Sequence, residues 1–226
     1  MRYSQIAARR AGRKDLLPPS STPPPRDPRF PGRCPRCRLP PSACFCAEIH
    51  PIATRTRVVV VRHTAEVNKT SNTGRLVAQA LSNSILVDHG VPEHVLDLTD
   101  TLAEPAWVLA MGGAPPADPP VVGTLVVIDS SWSSAKGMRW RIPPLARLPT
   151  LTLPPPTVTP LRMRRGAVPE QMATIEAVAA ALNLLGEPGP AEHLNRLFRT
   201  MSERLRALRG FDMPAKDHHG SRRGAR

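Results

Sequence analysis

Aromatic side chains are scarce in this sequence. Three Trp, one Tyr and four Phe make up 4% of 226 residues, which argues against a broad platform on which many bases stack. Acids are also few, with 18 Asp and Glu against 31 Lys and Arg, a net charge of +13. That imbalance repels basic partners and favours polyanions, through attraction to phosphates and release of their counterions. A GC-rich genome that writes Arg where Lys would serve gives the same balance, so charge alone only leans toward nucleic acid. Long apolar runs are missing, and no stretch approaches the roughly 18 residues of a membrane span. The basic N-terminus, with Arg2, Arg9, Arg10, Arg13 and Lys14, has no apolar core behind it and does not read as a secretory signal. The proline cluster from Pro18 to Pro25 argues against an amphipathic targeting helix. The reading is a cytoplasmic protein, in which four cysteines stay reduced or hold metal rather than form disulfides.

What is present divides the chain. Its length suits one domain, and 41% hydrophobic residues provide a core of modest size. The 28 prolines mark linkers and loops. Residues 1–31 read as a disordered, basic, proline-rich tail, 32–50 as a cysteine knuckle, 51–209 as the main domain, and 210–226 as a second basic tail.

Within the main domain the β-branched run Arg57–Val61 predicts a buried strand. Leu76, Val77, Ala80 and Leu81 place a helix over 73–81. Further strands are expected at 84–88, 107–111, 124–129 and 149–153, and further helices at 130–140, 174–185 and 191–209. Strands alternating with helical patterns predict an α/β fold with a mostly parallel sheet. Ligands bind such sheets in the loops after the strands, which selects His63–Asn72 and Asp129–Trp132 for their chemistry.

The four cysteines fall within thirteen positions as Cys34-x2-Cys37-x6-Cys44-x-Cys46. Two close pairs of thiolates suit a tetrahedral structural Zn2+ and leave no open position for catalysis; a redox pair or plain reduced thiols are the alternative. Arg33, Arg36 and Arg38 around the cluster make the knuckle a candidate RNA contact.

The order of motifs resembles the DTW-domain family of tRNA-uridine aminocarboxypropyltransferases. After the cysteine cluster come His63–Glu66, Thr70–Gly74, Asp129-Ser-Ser131-Trp132, Leu161-Arg162 and Ala173–Ala177. Together they cover residues 34–208. Two positions depart from the family pattern. Ser131 replaces the usual Thr before Trp and keeps its hydroxyl, whereas Ala173 replaces a common Ser and loses one. The resemblance implies a SPOUT-like α/β domain with a C-terminal trefoil knot that holds S-adenosylmethionine. It implies transfer of an aminocarboxypropyl group to N3 of a tRNA uridine. Modification of rRNA, SPOUT-like methyl transfer, and a non-catalytic zinc-containing RNA-binding protein are the alternatives.

On that reading Asp129 and Trp132 are the catalytic candidates. Asp129 ends a buried strand, where desolvation raises a carboxyl pKa and suits a base; capping the next helix is its simpler role. Trp132 packs against a nucleobase or serves the core. Ser131, Leu161, Arg162, Thr174 and Glu176 are the candidate cofactor contacts, the last two at a helix start that offers N–H groups to a carboxylate. His63, Glu66, Lys69, Asn72 and Arg75 are the candidate RNA contacts, with Thr70 beside them. N3 lies on the pairing edge of the base, so the acceptor uridine must be unpaired or flipped.

Overall fold

The computed structural model describes residues 32–91, 96–156 and 172–208. Both expected tails lie outside these residues, as do Leu161 and Arg162. The trefoil knot depends on the path of residues 157–171, which are also outside them.

Five strands form one sheet: β1 (Arg57–His63), β2 (Ser84–His89), β3 (Ala106–Met111), β4 (Thr124–Asp129) and β5 (Thr150–Leu153). Their order is β2-β1-β4-β3-β5, and every pairing is parallel. The sheet is therefore the parallel α/β architecture that the alternating pattern predicts. The valine run explains why β1 is central. Val58 and Val60 enter one core cluster and Val59 and Val61 the other, so both faces are covered. β2 and β5 are the edge strands, and β2 is only half-buried along its length.

The helices are α1 (Gly74–Ala80), α2 (Trp132–Arg141), α3 (Pro143–Ala146), α4 (Thr174–Leu184) and α5 (Pro188–Leu208). Most bounds fall within one to three residues of the sequence expectation. The short α3 was not foreseen, because Pro143-Pro144 reads as a break; proline is tolerated in a helix's first turn, where its missing N–H is not needed. Helices α1, α4 and α5 cover one face through Leu76, Val77, Ile175, Leu182, Leu194 and Phe198. Helices α2 and α3 cover the other through Met138, Ile142 and Leu145. No helix among the described residues is long and apolar enough to cross a membrane.

The knuckle is not a separate lobe. Leu39, Phe45 and Ile49 belong to the same core as α1, α4 and α5. Helix α1 holds the knuckle through Gln79, whose side chain donates to the Arg36 carbonyl at 3.2 Å. Helix α5 holds it through Arg204, which donates to the carbonyls of Ala43 and Cys44 and pairs with Glu48. The knuckle is thus embedded in the main core.

Candidate functional site

β1 and β4 are neighbours, with Arg62 opposite Asp129. The helix that follows β1 lies on one face of the sheet, and the helix that follows β4 lies on the other. Their loops therefore part at the carboxyl ends of the two strands, and such a switch point opens a crevice in parallel sheets. The two segments selected from sequence, after β1 and after β4, meet there.

Asp129 is the centre of the junction. It is 5% exposed, and both carboxylate oxygens accept hydrogen bonds. Thr174 Oγ1 donates to Oδ1 at 2.7 Å, and Asn72 Nδ2 donates to Oδ2 at 2.5 Å. Asn72 is fixed in that orientation because its Oδ1 accepts from the Arg75 backbone N–H at 3.2 Å. Burial pushes the Asp129 carboxyl above the usual carboxylate range, with a smaller push from Glu66. The bonds from Thr174 and Asn72 and the nearby Arg62 pull the other way without cancelling burial. Arg62 itself is paired in bidentate fashion with Asp88, at 2.7 and 3.0 Å. A row Asp88–Arg62–Asp129 thus runs across the ends of three adjacent strands.

The start of α4 shows what Ala173 costs and what replaces it. Ala173 is the N-cap residue and has no side-chain oxygen to offer. Glu176 Oε2 still accepts from the Ala173 N–H at 2.8 Å, which is the reciprocal half of a capping box. The missing acceptor comes from elsewhere in the chain, since Thr73 Oγ1 takes the Ile175 N–H at 3.3 Å. Thr73 therefore ties the starts of α1 and α4 together beside Asp129. Thr73 is also the N-cap residue of α1, where its side chain makes no capping bond.

Gly74 is a second residue whose role shows only in three dimensions. A Cβ there would lie 2.4 Å from Asp129 Oδ2 and 3.0 Å from Val60 Cγ1. Gly74→Ala is expected to destabilise the chain by about 1–3 kcal/mol, as overpacking does, with a matching fall in the urea midpoint. A midpoint at or above that of the unaltered chain would show that the backbone does not approach Asp129 so closely.

The remaining sequence candidates sort by where they face. Ser131 is the N-cap of α2, accepting from the Ser134 N–H at 3.3 Å, and is exposed. Trp132 is the first residue of α2, directly beside the Asp129 loop. His63 Nδ1 accepts from the Ala65 N–H at 3.1 Å, and its ring meets His89 edge to face at 6.5 Å. Burial is the first cause holding the His89 imidazole below its ordinary value, with His63 and Arg141 adding to it. Glu66 is buried and pairs with Lys69 at 2.5 Å, while the Lys69 side chain is 42% exposed.

Three of the expected RNA contacts are buried, Glu66 among them. Asn72 is buried on Asp129. Arg75 is buried too, and its Nη2 donates to the carbonyls of Cys37 at 3.3 Å and Thr70 at 3.4 Å. Burial brings its guanidinium down to about 10, with Arg38 and Arg62 next in effect. These bonds brace the loop after β1 against Asp129 and the knuckle. The knuckle touches the same loop from outside, where Arg33 donates to the Thr70 hydroxyl.

The four cysteine sulfurs lie within 4.8 Å of one another. Cys34 and Cys46 are 3.4 Å apart, and Cys37 and Cys44 are 3.8 Å apart. Sulfurs at about 2.3 Å from a tetrahedral centre stand roughly 3.8 Å from each other, so this donor set can hold a metal ion. The hydrogen bond between Cys37 and Cys46 pulls the Cys37 thiol down and pushes Cys46 up, and burial raises Cys44; the thiolate is the form that binds metal.

A family model described as DTW domain matches residues 32–206. The chain is 26% identical over 194 residues to tRNA-uridine aminocarboxypropyltransferase 2 of Macaca fascicularis, a match that covers 80% of this chain and 63% of that relative. Among solved structures it is similar to the SAM-dependent rRNA:acp-transferase Tsr3 from Vulcanisaeta distributa, with a TM-score of 0.43 and 20% identity over 69% of this chain and 80% of that one.

Proposed function

The chain belongs to the DTW-domain family, and on that premise we propose that it transfers the 3-amino-3-carboxypropyl group of S-adenosylmethionine to N3 of a uridine in RNA. The name of the curated relative makes tRNA the first acceptor to examine, with rRNA the second. One observation carries the reading. A buried carboxyl with a raised pKa, Asp129, is held by Asn72 and Thr174 at the sheet's switch point, inside the matched region.

The donor, when bound, supplies a γ-carbon made electrophilic by its sulfonium, with methylthioadenosine as the leaving group. What the chain must do is choose that carbon over the methyl by holding the donor in one pose, and remove the N3 proton that uridine keeps at neutral pH. Asp129 is the group for the second task. Each carboxylate oxygen has a lone pair beyond the one committed to Thr174 or Asn72, and desolvation makes the group a stronger base than a surface carboxylate. Ser131, Thr174 and Glu176 border the donor's place, with Leu161 and Arg162 assigned to it through the family motif, and Trp132 packs against a planar ring. His63, at the end of β1, and Lys69, on the loop after it, face the nucleotide, with buried Glu66 holding Lys69 by its ion pair. The four cysteines hold a structural zinc.

Incubation of the full chain with S-adenosylmethionine and bulk RNA tests this. Label carried in the carboxyl group of the methionine moiety is expected to enter tRNA and to survive digestion to a modified uridine. The same label in rRNA alone would move the acceptor. Label from the methyl group alone would make the chain a methyltransferase, and none from either would leave an RNA-binding protein.

A further inference from the structure

Trp140 is one of three tryptophans in a chain poor in aromatics, yet it is 61% exposed. A ring of that size normally adds a large apolar area to the core. Its helix has an alternative, because Met138 and Ile142 beside it are buried in the core formed with α3 and the sheet. Helix α2 is therefore anchored without Trp140, whose ring is left in solvent.

The surroundings state the ligand's charge. Between Asp129 and Glu170 the sequence contains no acidic residue. In the described part of that stretch Lys136, Arg141 and Arg147 are exposed. Lys136 precedes Trp140 by one helical turn and shares its face. The Arg139 guanidinium lies 5.0 Å from the Trp140 ring centroid, while its Nη2 is held by the Leu148 carbonyl at 3.2 Å. An exposed ring with Arg139 over it and Lys136 on its helix face, in a stretch of sequence without acids, suits a strand of phosphates carrying stackable bases.

The position relates this surface to the junction at Asp129. Trp140 follows Trp132 by eight residues along α2, about 12 Å at 1.5 Å per residue. Arg141, its neighbour, lies along α2, its Nε donating to the Gly137 carbonyl at 3.2 Å. The patch therefore lies on the same face of the sheet as α2, one helix length from the loop that follows β4.

We propose that Trp140 is a stacking platform for an unpaired base of the RNA substrate, near but distinct from the modified uridine, with Lys136 and Arg141 taking the adjoining phosphates. The inference rests on an RNA acceptor but not on the chemistry performed on it. A single platform fits a chain with too few rings for a series of them. It also accounts for recognition of a loop rather than a duplex, since paired bases offer no free face.

The test is equilibrium binding of unfractionated tRNA to the full-length chain, by fluorescence anisotropy over a range of salt concentrations. Trp140→Ala is expected to weaken binding about tenfold, to leave the dependence on salt unchanged and to keep the melting temperature of the unaltered chain. Trp140→Phe is expected to recover most of the loss. Lys136→Gln is expected to weaken binding and to reduce the salt slope by about one ion. Wild-type affinity in Trp140→Ala at every salt concentration would overturn the platform and leave the ring to a protein contact. Binding is read without turnover, so absent label transfer with a clear Trp140 effect would refute the transferase alone. Normal transfer with no Trp140 effect would refute the platform alone.

Discussion

Asp129→Asn is expected to yield a folded chain whose turnover is lower by a factor of about 10²–10⁴, the usual contribution of a positioned general base. Folding survives because the network can be satisfied again. The Asn oxygen accepts from Asn72 Nδ2, and its amide donates to Thr174 Oγ1, a hydroxyl able to accept as well as donate. Donor affinity, measured by calorimetry, should stay close to that of the unaltered chain. Retained turnover would remove Asp129 from the base role. Stability supplies an independent readout. Burial raises the Asp129 carboxyl, so its contribution to stability is full below the unfolded value, about pH 4, and is lost as pH rises through the folded value. The Asn variant has no such loss. The melting temperature of the variant minus that of the unaltered chain should therefore grow across that interval and stay level above it. A constant difference over the whole range would mean that Asp129 is not desolvated.

The second large effect concerns the cysteine knuckle. Cys37→Ser is expected to release the metal and to lower stability by about 4 kcal/mol or more, the size associated with a lost structural metal, or roughly 10 °C in melting temperature. The effect should spread because Cys37 is fully buried in the main core and its carbonyl receives Arg75 from α1. The Cys44 carbonyl receives Arg204 from α5. A chelator applied to the unaltered chain should reproduce the loss, and added Zn2+ should reverse it. Freshly purified protein that contains no metal would return the four residues to plain reduced thiols.

The sheet was legible where apolar patterning is strong. Val58–Val61 and Leu125–Val127 are buried on both faces, and a continuous β-branched run is what a two-sided environment demands. α5 was legible for a different reason. Leu194, Leu197, Phe198, Met201 and Leu205 recur at helical spacing and all face the core. Helix α3 escaped because its two prolines signal a break and a helix start equally well.

The site was legible in part. Its two loops follow from the rule that parallel sheets bind ligands beyond their carboxyl ends. Asp129 and Thr174 stand forty-five residues apart in sequence, so their contact at 2.7 Å has no local signature. Arg75 shows the opposite difficulty: an arginine after a polar loop reads as a surface group, and only packing turns it onto the knuckle.

By itself the sequence determined the alternation of strands and helices, the four-cysteine cluster and the two loops that meet at Asp129, because each is written in neighbouring residues as periodicity or spacing. Tertiary structure alone decided which polar side chains face inward, that Thr73 supplies the cap Ala173 lacks, and that Gly74 gives Asp129 room. Those outcomes depend on strand order and helix placement. These bring distant residues within hydrogen-bonding range and leave a buried carboxyl no partners but the ones the fold provides.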